Sequence, residues 1–100
     1  MNFDAQFEQD LKKIQDIVIR KGREYRRENN PFHNFEKGAN ISNQHPALVL
    51  DGFMLKHYIS YRDILNDLKQ GIHQSDALIE EKIFDMIIYL LIQKQLLTQQ

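Results

Sequence analysis

The sequence predicts an all-α protein: a small antiparallel helical bundle of three long helices plus a short connector helix. Three observations lead there. Apolar residues recur at steps of three, four or seven over long stretches, as one face of a helix requires. Only four Gly and two Pro interrupt 100 residues, too little punctuation for a succession of short strands. Turn-forming residues gather at Asn29-Asn30-Pro31 and in the connector that follows, with Gly71 and Ser75 bounding a later loop.

The first helix is expected from about residue 3 to 28, with Phe3, Phe7, Leu11, Ile14, Val18 and Tyr25 on one face. Gly22 falls inside it, at a cost of roughly 1 kcal/mol relative to Ala. Asn29-Asn30-Pro31 ends it, because Pro lacks an amide hydrogen and disfavours a helical residue before it. The segment PFHNFEKGANISNQ is then a connector, with one helical turn expected around Phe35–Ala39. A second long helix starts at Pro46, a residue suited to the first helical position. It runs to about Lys69, and Gly71 stops it. Ser75 or Asp76 caps the last helix by accepting a backbone hydrogen bond, and that helix runs to about Leu97. Within it IFDMIIYLLI, residues 83–92, is apolar on nearly every side. Two other helices of one chain do not surround such a segment, so a homo-oligomer is expected.

The totals fit a single helical domain over 1–100. The chain has no Cys, which removes disulfides, Cys-based zinc sites and a thiol nucleophile and fits a reducing cytoplasm. MNFDAQFEQD lacks the basic-then-apolar pattern of a signal peptide. The most apolar stretch is short and contains Asp85, so no membrane span is expected. A net charge of −1 speaks against general DNA binding, which draws on a clearly basic domain.

The basic charge is local. In RKGREYRRENNPFHNF, residues 20–35, five of the first eight residues are Arg or Lys, followed by aromatics and amides. Arg forks bind phosphate oxygens in pairs, and aromatic planes stack on bases. Lys21, Tyr25, Arg26, Arg27, Asn34 and Phe35 are therefore candidate nucleotide-binding residues. The competing reading is a solvated basic face whose aromatics belong to the core. On the middle helix Lys56, Ser60 and Asp63 share a face at i, i+4 and i+7, with His57 beside them. A Lys can hold a phosphate, and a Ser or Asp can orient a ribose; ordinary helix-surface pairing is the alternative. On the last helix Glu81 and Asp85 share a face. Asp85 sits among Ile83, Phe84, Met86, Ile87 and Ile88, where an unpaired carboxylate is costly. It must meet a cation, a donor or a metal, or be protonated, with Lys56, His57 and Arg62 as candidate partners. The four His are scattered without metal-ligand spacing, and no Gly-rich phosphate loop is present.

The order KxxEY, NPFxNF, GFMxKHxxSxRD and EEKIxDxxxYL resembles small helical proteins common in bacteriophage genomes. The matching residues are Lys21, Glu24, Tyr25, Asn34, Phe35, Lys56, His57, Ser60, Asp63, Glu81, Lys82, Asp85 and Tyr89, with Ile88 where that family usually has Asn. More remotely the layout is similar to nucleotide-modification-associated helical domains and to MazG-like all-α nucleoside triphosphate pyrophosphatases. The latter hold magnesium with an EExxE helix and a later ExxD helix. Here the first motif is missing, and Glu81 to Asp85 has one residue too many between the acids.

The leading expectation is a phage-type, non-catalytic nucleotide-binding protein without a cofactor. It would act in the cytoplasm of a bacterial host and sequester a signalling nucleotide to counter host defence. One alternative is a helical adaptor that binds a host protein. The other is a magnesium-dependent nucleotide pyrophosphohydrolase, with Glu81 and Asp85 as metal ligands assisted by Asp63.

Overall fold

The computed structural model describes residues 2–25 and 30–99, the side chains of 22–25 excepted. Among them are four helices and no strand: α1 (Phe3–Tyr25), α2 (His33–Ser42), α3 (Pro46–Lys69) and α4 (Asp76–Thr98). The protein is therefore all-α. The chain divides into two compact units, Met1–His33 and Asn34–Gln100.

In the first unit the Asn2 side chain accepts from the amide of Ala5 at 3.2 Å, which caps α1. Phe3 and Phe7, one turn apart, stack with ring centroids 5.7 Å from each other. Gly22 lies within the helix, as expected. The last three residues of the expected helix, 26–28, lie outside the described residues.

The connector is more helical than its sequence predicts. Instead of one turn, α2 spans ten residues. Asn30 turns the chain into it, with its Oδ1 accepting from the Phe32 amide at 2.9 Å. The far end is closed by Asn43, whose φ of 56° is left-handed. The Gln44 amide reaches back to the Ala39 carbonyl at 3.1 Å. This six-to-one closure usually employs Gly, and Asn is the residue that most readily replaces it.

The boundaries of α3 and α4 follow from local chemistry. His45 caps α3 through Nδ1, which accepts from the Ala47 amide at 3.0 Å, and Pro46 takes the first helical position. At the other end Gly71 has φ 81°. Its amide donates to Leu68, and the Ile72 amide donates to Asp67, which completes the two-bond closure of a helix C-terminus. The Ser75 hydroxyl then accepts from the Leu78 amide at 3.2 Å and opens α4.

Helices α3 and α4 form an antiparallel hairpin, tied at three levels. Gln74 Nε2 donates to Asp67 Oδ2 at 2.8 Å beside the turn. His57 faces Asp85 midway, and Gln93 Nε2 donates to the Ala47 carbonyl at 2.8 Å at the open end. The core of this unit holds Phe35 and Ala39 from α2, Ala47 and Leu50 from α3, and Phe84 and Leu96 from α4. Leu50, 1% exposed, is its most enclosed residue. On the all-round apolar stretch of α4, Phe84 is buried while Leu90 and Leu91 remain 55% and 54% exposed. Among the described residues no helix is long and apolar enough to cross a membrane.

Candidate functional site

The hairpin brings chemistry-bearing residues together in two neighbouring places. The first is a cleft near its turn, lined by Ser60, Asp63, Ile64 and Asp67 of α3, Gln74 of the turn, and Leu78 and Lys82 of α4. Its volume is about 190 Å³. Helical geometry accounts for the α3 side, since residues 60, 63, 64 and 67 follow steps of three and four. The amide of Gln74 already occupies one oxygen of Asp67. That leaves the Ser60 hydroxyl, the Asp63 carboxylate, the second oxygen of Asp67 and the half-buried Lys82 ammonium to meet a ligand, two carboxylates beside one cation.

The second place lies further along the hairpin. His57 Nδ1 stands 3.9 Å from Asp85 Oδ2, with side chains 23% and 14% exposed. The separation exceeds hydrogen-bond length, so the two groups face each other without a direct hydrogen bond. The His57 ring lies against Tyr89, centroids 4.6 Å apart and tilted by 40°. Tyr89 in turn meets Phe35 edge-on at 6.1 Å, and Phe35 meets Phe53 edge-on at 5.5 Å. A continuous row of rings thus leads from the core to the one acid on the apolar stretch of α4.

The expected site residues separate accordingly. Ser60 and Asp63 reach the cleft. His57, one of the three expected partners, is turned to Asp85. Lys56 is exposed and outside the cleft lining. Phe35, expected against a base, is instead a core residue at 5% exposure, with Phe53 and Tyr89 against its ring. Its spacing from Phe32 carried that core reading. Asn34 is exposed in the first turn of α2, and Lys21 is exposed on α1. The Tyr25 side chain, Arg26 and Arg27 lie outside the described residues.

Of the three acids proposed for magnesium, Asp63 lines the cleft, Asp85 faces His57, and Glu81 is exposed. Among the described residues no three His, Cys, Asp or Glu side chains gather as a metal-binding group. Magnesium is usually held by one or two carboxylates together with waters and substrate phosphates. Asp67 and Gln74 were not singled out from sequence, because the cleft arises from the turn that folds α4 back on α3. Lys82 was noted only through the resemblance.

A wider groove of about 470 Å³ lies beside the α2–α3 junction, lined by Glu36, Ala39, Asn40, Asn43, Gln44 and Pro46. It contains one carboxylate and no cation, whereas the cleft sets Lys82 beside Asp63 and Asp67 and so offers an anion one direct cationic contact. No protein-family model matches the chain, and no curated protein or solved structure is detectably similar to it.

Proposed function

We propose that this chain is a phage-type, non-catalytic nucleotide-binding protein that sequesters a host signalling nucleotide in the bacterial cytoplasm. The observation that carries the reading is the cleft where Ser60, Asp63 and Lys82 converge. Lys82 offers a compact positive charge to a phosphate. Asp63 accepts hydrogen bonds from ribose hydroxyls, and Ser60 both donates and accepts. Size limits what the cleft holds. At about 190 Å³ it falls below the ~300–1,000 Å³ typical of pockets for whole small ligands. It therefore takes the ribose-phosphate part, and the base lies outside it. The basic segment with Lys21, Arg26 and Arg27 attracts a polyanion at a distance, an effect that needs no contact. The reading retains the expectation of a homo-oligomer and requires no metal.

The test mixes the protein with a panel of linear and cyclic nucleotides, with and without magnesium, and follows them by chromatography before and after heat denaturation. Sequestration predicts a nucleotide that disappears from solution and returns intact on heating. A nucleotide returning as a monophosphate would replace this reading with hydrolysis. If every nucleotide stays free, a helical adaptor for a host protein becomes the better account. In a positive case Lys82→Ala should weaken binding about tenfold or more, the loss associated with one charged hydrogen bond. Thermal unfolding of the free protein should be almost unchanged.

A further inference from the structure

On α3 the residues Leu48, Asp51, Leu55, Tyr58, Arg62 and Leu65 are spaced three, four, three, four and three apart. That is the heptad spacing of a coiled-coil seam over five turns. The seam faces solvent over most of its length: Leu48, Leu55 and Tyr58 are 61%, 57% and 47% exposed, and Leu65 at its end is half-buried. Asp51 and Arg62 are exposed as well, and Tyr58 is braced by Tyr61 at 6.2 Å between ring centroids. No residue of the seam lines the cleft.

The order of the seam reverses onto itself. Reading inward from both ends gives Leu48 with Leu65, Asp51 with Arg62, and Leu55 with Tyr58. Two copies of α3 laid antiparallel about a two-fold axis between residues 56 and 57 therefore match each apolar residue with an apolar residue. They also match each acid with a base, twice. A parallel pair would instead place Asp51 on Asp51 and Arg62 on Arg62, and like charges in apposition oppose that arrangement.

We infer that the outer face of α3 is a homodimer interface in which Asp51 of each copy pairs with Arg62 of the other across a central Leu55–Tyr58 cluster. This gives the expected oligomer a surface and a symmetry, and it does not depend on nucleotide binding. Seventeen residues of rise make the seam about 25 Å long and a helix about 10 Å wide. One such strip is smaller than the ~800 Å² per partner of a standard interface, so the dimer dissociates on dilution.

Analytical ultracentrifugation of the full chain over a wide concentration range tests the inference. The native protein should show a reversible monomer–dimer equilibrium. Arg62→Asp alone, and Asp51→Arg alone, should each raise the dimer dissociation constant about tenfold or more. The double variant Asp51→Arg/Arg62→Asp should return it to within about threefold of the native value, because the swap rebuilds both pairs. Helix content by circular dichroism identifies any variant that fails to fold, and the rescue by the double variant separates pairing from general damage. A protein monomeric at every concentration, a dimer indifferent to the single reversals, or a double variant no better than the singles overturns the proposal. So does a seam that is masked only by a different protein.

Discussion

A methyl group added at Gly38 would stand 2.7 Å from Val49 Cγ1, whereas one added at Gly52 meets nothing within 4 Å. Both positions are helical, so Ala brings the same intrinsic gain, close to 1 kcal/mol, at each. Only at Gly38 must a stiff β-branched neighbour give way, and overpacking typically costs about 1–3 kcal/mol. Gly38→Ala should therefore lower stability by about 1 kcal/mol, and Gly52→Ala should raise it by up to about 1 kcal/mol. Urea unfolding at dilute concentration measures both, and a stabilised Gly38→Ala would show that Val49 moves freely. At this scale the sequence was informative where charge and environment conflicted. Asp85 stood out because its neighbours are apolar, and His57 was among its three candidate partners. Phe35 was harder, since a ring that stacks on a base and one that fills a core have the same composition and spacing. Only its contacts with Phe53 and Tyr89 decide.

Helix ends were legible where the closing residue is the usual one. Pro46, Gly71 and Ser75 mark their boundaries by fixed φ, by freedom at positive φ and by a side-chain acceptor respectively. The end of α2 was not, because Asn43 does the work of Gly at φ 56° and His45 caps in place of Ser or Asp. Asn43→Gly should stabilise the protein by about 0.5–1 kcal/mol, since the left-handed conformation carries a steric penalty for residues with a Cβ. Ser75→Ala should destabilise by about 1 kcal/mol through loss of the hydrogen bond to Leu78. Thermal melts of the two variants should move in opposite directions. A common direction would mean that the caps are not what holds these ends.

Over the whole molecule, charge is nearly balanced while apolar surface is plentiful. The net charge is −1 and the isoelectric point about 6.4, yet Ile41, Leu48, Leu68, Leu90 and Leu97 are all more than half exposed. Little electrostatic repulsion then opposes association. Solubility should pass through a minimum near pH 6.4 and recover on either side, as measured by light scattering across a pH series. A flat profile would show that the apolar surface is already covered in solution. The all-α architecture was legible because period and punctuation act locally. The cleft was less so. Its lining comes from residues far apart in the chain, and only the hairpin register brings Lys82 to Ser60 and Asp63.

That register has a mechanical consequence. Ala47 with Gln93, His57 with Asp85, and Asp67 with Gln74 are rungs whose residue numbers sum to nearly the same value. A tether pulling on the start of α3 and the end of α4 therefore loads the rungs one after another, beginning with Gln93. The hairpin should peel open at low force from that end, whereas a pull along the helix axes would load all three rungs together and meet a greater resistance.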